Sequence, residues 1–412
     1  MSPTLAEAGS GPLGIAVSGG SDSLALLLLA ERWAQAEGRK IRVVTVDHGL
    51  RHGSAAEAET VAELCRMRGL SHETLRWQRP DRSGNLQSNA RSARRRLIAD
   101  WAWTQNVSAV ALGHTLDDQA ETFLMRLARG SGVDGLSGMS PVSTVLGITW
   151  LRPMLDLRRD DLRAWLSGQG MCWAEDPSNS DMRFDRVRIR SAAADLARIG
   201  LTHRRLADTA RRMQRARRAL ERSTQELAAT CARLGPCGDV SLECRSFSQA
   251  PEEIRTRLLA AILCWVGGHD YRPRFEALSQ LEQAIVAGAV GGGKTLHGCV
   301  LRQRGGQTLI RREPIRPSAP VSAAQRIWDR RWCLEGDAER AQELVIGALG
   351  EEGLSRIEDW RRIGAAREAL ITTPALWRHS ELIAAPLAGQ GNGFSFRLRG
   401  LPAELSGLSQ LD

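Results

Sequence analysis

The 412-residue sequence has eight cysteines but no Cys-x-x-Cys pair and no nearby His-x-x-x-His. Zinc and iron–sulfur sites need ligands at such close spacing, so neither is expected. The scattered thiols read as buried and reduced, as in a cytosol. A long apolar run is missing as well. The longest strongly apolar stretch, 24–30, falls far short of the roughly 20 residues that a bilayer span needs. The opening residues MSPTLAEAGSGPLG have no basic start, so a soluble, non-exported, cytoplasmic protein with no membrane partner is expected. Lysine is almost absent: Lys40 and Lys294 are the only two among 56 basic residues, and the rest are arginine.

What is present suits a globular chain of two or three domains, with 42% hydrophobic residues. Charge is uneven. Residues 1–195 hold 24 Lys+Arg against 23 Asp+Glu, whereas 196–412 hold 32 against 24. A basic half beside a neutral one suits a polyanionic partner, most commonly nucleic acid. In the long helical pattern 202–233, Arg211, Arg215 and Arg218 share one face, either as solvated surface or as a phosphate-facing stripe.

The first ~190 residues alternate short apolar runs with helical patterns: GIAV, KIRVVTV, ETLRW and SAVAL precede or separate helices at 24–33, 55–68, 85–105 and 116–129. That rhythm predicts an α/β fold with a doubly wound, mainly parallel sheet over 1–195, whose ligands sit outside the carboxyl ends of the strands. A mostly helical domain with a β-hairpin turning at Gly305-Gly306 is expected over 196–315. The linker-like PIRPSAP leads to a small mixed module over 320–412.

Four motifs begin at those strand ends. SGGSDS, residues 18–23, is a tight turn between a strand and a helix, and its glycines expose backbone N–H groups beside a helix N-terminus. It lacks both the Gly-Lys-Ser/Thr ending of a Walker A loop and the third glycine of a dinucleotide loop. Asp22 would repel a phosphate unless a divalent cation lay between them, which suits cleavage of ATP at the α-phosphate. A literal Walker A match, GAVGGGKT at 288–295, follows a helix and precedes a strand; that order is reversed, so it reads as a connection.

VDHGLR places Asp47 and His48 at the second strand end, where Asp47 either holds Mg²⁺ or ribose or caps a turn. GHTLDDQAETFLMRLARG sets His114, Asp118 and Glu121 at spacings of four and three, on one side of a helix start whose buried side runs on through Leu124, Leu127 and Ala128. Clustered carboxylates repel one another, so a cation is expected there, a metal or an ammonium. EDPSNSDMRFDRVRIR carries Arg183, Arg186, Arg188 and Arg190 on what reads as extended or loop backbone, suited to phosphate or base-edge contacts or to surface ion pairs.

Taken in order, SGGSDS (18–23), DHGLR (47–51), NARSARR (89–95), GHTLDDQAETFLMRLARGSGVDGLSGM (113–139) and EDPSNSDMRFDRVRIR (175–190) resemble the motifs of the tRNA(Ile)-lysidine synthases, N-type ATP pyrophosphatases with a PP-loop. The resemblance implies adenylation of the wobble cytidine of a CAU-anticodon isoleucine tRNA, then attack of free L-lysine at C2 to give lysidine, which decodes AUA instead of AUG. It implies ATP binding by Ser18, Gly19, Gly20, Ser21, Asp22 and Ser23, with Asp47 and His48 adjacent and Asp22 serving Mg²⁺. Asp118 and Glu121 are then the lysine seat, and Arg94 and Arg186 are catalytic arginines. Arg211, Arg215 and Arg218 would contact the tRNA, and a homodimer is compatible with all of this. The sequence departs from the family pattern at Arg95, where an aromatic residue is common, at Val187, where Asn is common, and in having one histidine, His114, where a pair is frequent. A 2-thiocytidine synthetase would need cysteine pairs, and a GMP synthetase-like amidation would need an ammonia source. A non-catalytic RNA-binding protein with a degenerate loop would lack Asp22, Asp118 or Glu121.

Overall fold

A computed structural model describes residues 2–47, 49, 53–77, 86–175, 181–269, 271–314 and 319–399. The chain divides into two compact units, Met1–Arg218 and Ala219–Asp412.

The first unit is built on six strands, β1 (Leu13–Ala16), β2 (Ile41–Asp47), β3 (Ser71–Arg76), β4 (Ala109–Leu112), β5 (Val142–Val145) and β6 (Ile148–Leu151). Their order is β3-β2-β1-β4-β6-β5, and all neighbours are parallel except the β5–β6 hairpin. Among the described residues ten helices accompany them: α1 (Ser2–Ala6), α2 (Ser21–Ala36), α3 (Ser54–Met67), α4 (Leu86–Thr104), α5 (Leu116–Ala128), α6 (Val133–Leu136), α7 (Arg159–Gly168), α8 (Asp185–Ser191), α9 (Ala193–Arg198) and α10 (His203–Cys231), the last of which crosses the division.

Side-chain alternation along the strands sends residues to opposite faces. Leu13, Ile15 and Val43 face a core with Leu24, Leu27, Val61, Leu162 and Leu166 from α2, α3 and α7. Ala16, Val44, Val110 and Trp150 face Ile98, Trp101 and Ala102 of α4. Both faces are therefore covered, and each fully buried Leu or Ile contributes roughly 1.5–3 kcal/mol. Gly14 is held to glycine by this packing, since a Cβ there would lie 3.0–3.2 Å from Val107, Val110 and Trp101. The chain reverses direction across the sheet between β1 and β4, which makes the crevice beyond their carboxyl ends the ligand position for a sheet of this type.

In the second unit, β7 (Ala232–Leu234), β8 (Val240–Glu243), β9 (Lys294–Leu296), β10 (Cys299–Arg304) and β11 (Gln307–Arg312) form an antiparallel sheet ordered β7-β8-β11-β10-β9. It packs with α11 (Cys244–Gln249), α12 (Glu252–Gly267) and α13 (Phe275–Val286). The β10–β11 hairpin turns at Gly305-Gly306, both at positive φ (58° and 75°), the conformation that a two-residue turn between twisted strands requires. The Walker-like GAVGGGKT links α13 to β9, so no helix follows its lysine.

Two smaller antiparallel sheets follow. One is β12 (Val321–Ser322), β15 (Val345–Ala348), β16 (Pro374–Arg378) and β17 (Glu381–Ala384); the other is β13 (Ile327–Trp328), β14 (Trp332–Gly336) and β18 (Phe394–Leu398). A buried ion network between β13 and β14 ties the second of these to the preceding sheet. Asp329 accepts from Arg312 Nη1 at 2.7 and 2.8 Å and from Arg331 Nε and Nη2 at 2.9 and 2.6 Å. Arg331 also donates to the Gly238 carbonyl at 3.0 Å and lies over the Trp265 ring.

All eight cysteines are free thiols. Burial pushes Cys65, Cys231, Cys237 and Cys264 up to about 11 and Cys299 to about 12, which keeps them protonated. Cys172 departs from the buried expectation and is exposed. Among the described residues no cysteine–histidine–carboxylate group could hold a metal, and no helix is long and apolar enough to cross a membrane.

Candidate active site

β1 delivers the loop Ser18–Ser23 into the crevice, with Val17 still paired to β2 through the Val44 carbonyl at 2.9 Å. Gly19 sits at φ +87°, a left-handed conformation that glycine adopts without penalty. The loop closes on itself: the Ser18 N–H donates to Ser23 Oγ at 3.1 Å, and that hydroxyl donates to the Gly20 carbonyl at 3.0 Å. Gly20 caps α2 without a side-chain acceptor, so the helix start offers its backbone N–H groups to an anion. Gly113, at the end of β4, lies so close that a Cβ would come within 3.0 Å of the Asp22 and Ser23 backbone. This contact brings the end of β4 against the loop.

From there the chain enters α5. Thr115 caps it, its hydroxyl accepting from the Asp118 N–H at 3.4 Å, while Asp118 Oδ2 accepts from the Thr115 N–H at 2.8 Å and hydroxyl at 2.9 Å. Asp118 and Glu121 stand one turn apart and are buried, 6% and 1% exposed. His114 precedes the cap and is therefore off the helix, contrary to the one-sided trio expected from spacing. The apolar face also differs from expectation. Leu127 and Ala128 are exposed, and α5 instead buries Ala120 and Phe123 against Leu206 and Ala210 of α10. Leu124 packs against that cluster, partly buried, as the spacing expected.

The cation at this cluster is a protein side chain. Arg159, the first residue of α7, donates through Nε to Asp22 at 2.8 Å, through Nη2 to Asp118 at 3.0 Å and through Nη1 to Glu121 at 3.4 Å. Its backbone N–H donates to Asp117 Oδ2 at 2.8 Å, satisfying one of the amides that a helix start leaves open. Leu116 and Thr115 pair with Leu157 and Met154, which holds this segment along the start of α5. Glu121 also accepts from Arg190 Nε at 2.5 Å and Nη2 at 3.2 Å.

These contacts set the electrostatics. Burial raises the Asp22 carboxyl above its ordinary value, and Arg159 offsets only part of that. At Asp118 burial acts in the same direction, but Arg159, His114, the Thr115 N–H and Arg186 together outweigh it and hold the carboxyl below its usual range. Arg159 itself is raised: burial opposes its charge, and Asp118, Asp22 and Glu121 more than compensate. A part-exposed carboxylate such as Asp22, disfavoured by burial and set in a loop of N–H and hydroxyl donors, fits a divalent ion bridging to phosphate.

The remaining expected residues are distributed as follows. Asp47 Oδ1 accepts from the Gly49 N–H at 3.0 Å and the Ser54 hydroxyl at 2.7 Å, so it holds a turn and the side chain of the first residue of α3. His48 lies outside the described residues. Arg94 is exposed on α4, and Arg186 is half-buried on α8, where its charge reaches Asp118. Arg186, Arg188 and Arg190 are helical, not extended: the alternation RVRIR imitates a strand, but Asp185 opens a helix there. Arg183 and Arg188 pair locally with Asp181 and Asp185. On α10, Arg215 and Arg218 are exposed, whereas Arg211 is ion-paired with Asp208 and Asp156.

Arg159 and Asp117 were missed in the sequence. The available signal was LDLRRDDLRAWLSG: two acids in a first turn, then Leu162, Trp165 and Leu166 at helical spacing.

The PP-loop domain family matches residues 2–196. The sequence is 44% identical to the tRNA(Ile)-lysidine synthase of Ruegeria pomeroyi over 94% of this chain and 91% of that protein. It is 39% identical to that of Hyphomonas neptunium over 84% and 92%, and 32% identical to that of Wolbachia pipientis wMel over 90% and 88%.

Proposed function

The chain belongs to the tRNA(Ile)-lysidine synthase family of ATP-dependent, tRNA-modifying ligases, and we propose that it joins free L-lysine to C2 of the wobble cytidine in a CAU-anticodon isoleucine tRNA. The observation that carries this reading is the junction of two sites: a phosphate-type loop with Asp22, and buried Asp118 and Glu121, bridged by a single guanidinium. A nucleotide and an amine would meet there.

Cytidine O2 attacks the α-phosphate of ATP and pyrophosphate leaves. The lysine ε-amine, having lost its proton, then adds at C2, and AMP departs with the oxygen. Adenylation is required because that oxygen is otherwise a very poor leaving group. The loop 18–23 holds the phosphates through N–H and hydroxyl groups, and Asp22 holds Mg²⁺, which offsets phosphate charge. Asp118 and Glu121 take the ammonium character of lysine, and their burial strengthens that attraction. Arg94 and Arg186 offset charge on the α-phosphate and the leaving AMP as preorganised donors. Arg211, Arg215 and Arg218 meet the tRNA backbone, and the reaction is cytoplasmic.

The test is incubation of the full chain with ATP, Mg²⁺, radiolabelled lysine and the CAU-anticodon isoleucine tRNA transcript. The expected outcome is tRNA-linked lysine with release of AMP and pyrophosphate. No labelled tRNA, under conditions where the protein binds that tRNA, overturns the proposal.

A further inference from the structure

Arg159 occupies the places that two incoming cations need. Its Nε end is on Asp22, the carboxylate suited to a divalent ion, and its two Nη ends are on Asp118 and Glu121, the carboxylates suited to an ammonium. A guanidinium is planar and rigid, so these three contacts belong to one pose. Asp22, Asp118 and Glu121 would otherwise be three carboxylates crowded into a largely buried space, each destabilising the others. The residue is also anchored in a way that lets its side chain move without its backbone. The backbone N–H is fixed to Asp117, and α7 behind it is packed through Leu162 and Leu166 and joined to α2 by the Arg32–Gln169 hydrogen bond at 2.8 Å. Glu121 keeps Arg190 if Arg159 leaves.

We propose that Arg159 is a built-in counter-ion that couples the two substrate subsites: it holds Asp22, Asp118 and Glu121 while they are empty, and a cation arriving at either end releases it. Once a divalent ion takes Asp22, the Nε contact is lost and the guanidinium is less firmly held over Asp118 and Glu121, so an ammonium displaces it more easily. The reverse order has the same effect, because coupling between two binding sites is reciprocal. The residue therefore weakens each substrate alone and favours the pair. This inference rests on the assignment of Asp118 and Glu121 as the lysine seat.

The experiment is calorimetric titration of L-lysine into the full-length protein, without tRNA, in three states: no nucleotide, Mg²⁺ alone, and Mg²⁺ with a non-hydrolysable α,β-methylene ATP. In the native protein Mg²⁺ with the analogue should tighten lysine binding by about fivefold or more. Arg159→Gln should bind lysine about tenfold more tightly than the native protein without nucleotide, since the competing internal cation is gone, and should lose at least half of the tightening. Arg159→Lys keeps the charge but, as a compact ammonium, cannot span three carboxylates. It should bind lysine more tightly than the native protein, and it carries the test if the Gln variant does not fold. Lysine affinity equal to or weaker than native in the folded variant, or undiminished coupling, overturns the role of Arg159. If the native protein forms tRNA-linked lysine yet Arg159 variants behave in that way, only this inference falls. If the native protein binds no lysine and forms no product, the reading beneath it falls as well.

Discussion

The chain contains two buried ion networks with opposite balances. In the second unit, one carboxylate, Asp329, is enclosed by two guanidiniums, and Arg312, Asp329 and Arg331 are 9%, 3% and 3% exposed. Both oxygens of Asp329 accept from guanidiniums. In the first unit carboxylates outnumber guanidiniums: Arg159 serves three of them, Arg190 joins it on Glu121, and the edge of the network stays accessible, with Arg159 16% and Asp22 20% exposed. Buried ion pairs are weak stabilisers on balance but costly to break from one side. The closed network therefore acts as a fastening between sheets, whereas the open one has carboxylate in excess, as the proposed binding of a further cation requires.

The largest expected effect breaks the closed network. Asp329→Asn keeps the side-chain shape and tolerates the left-handed backbone at φ +52°, so it isolates the charge. Arg312 and Arg331 would lose the carboxylate they share, a loss of about 3–5 kcal/mol. Urea denaturation of the full chain reads this directly; a loss under about 1 kcal/mol would mean that this network is no more closed than the other.

Asp118→Asn probes the open network and should separate stability from chemistry. Thr115 still caps the start of α5 and the asparagine carbonyl can still accept from its N–H, so the stability cost is about 1 kcal/mol. Lysine transfer to tRNA should fall by about 100-fold, while tRNA-dependent release of pyrophosphate from ATP stays within about threefold of native. Equal loss of both steps would remove Asp118 from the lysine seat.

The difference between the networks was not legible in the sequence, although much around it was. The parallel sheet could be read because β1, β2 and β4 are short apolar runs between amphipathic stretches. The grouping of Asp118 and Glu121 could be read because it depends on helical spacing alone. The Gly305-Gly306 turn declared itself through two residues that tolerate positive φ. Arg159 could not be found in this way. It reaches Asp118 across 41 positions, from a helix that follows the antiparallel β5–β6 hairpin, and no local pattern marks which of many arginines will do so. Arg312 and Arg331 were hidden for the same reason. In a chain whose basic residues are nearly all arginine, composition says that guanidiniums are available, and only tertiary packing says where each one is used.

The smallest effect should come from Asp22→Asn, with its sign opposite to that of Asp329→Asn. Burial raises the Asp22 carboxyl in the folded chain despite Arg159, so its ionised form costs the fold stability at neutral pH. Replacing it removes that cost, and Arg159 keeps Asp118 and Glu121. In chelator, the variant should be as stable as the native protein or slightly more so near pH 7. The cost is present above the raised folded value and fades as pH falls through it, because the native carboxyl then takes up a proton more readily folded than unfolded. The native protein should therefore catch up with the variant on acidification, and urea midpoints stepped from about pH 7 to about pH 4 would show the gap closing. If the gap widens instead, or if Asp22→Asn is strongly destabilised at neutral pH, then Asp22 is held by Arg159 as tightly as Asp329 is by its two partners. The contrast between a finished and an unfinished network would then fail at the residue proposed to hold the metal.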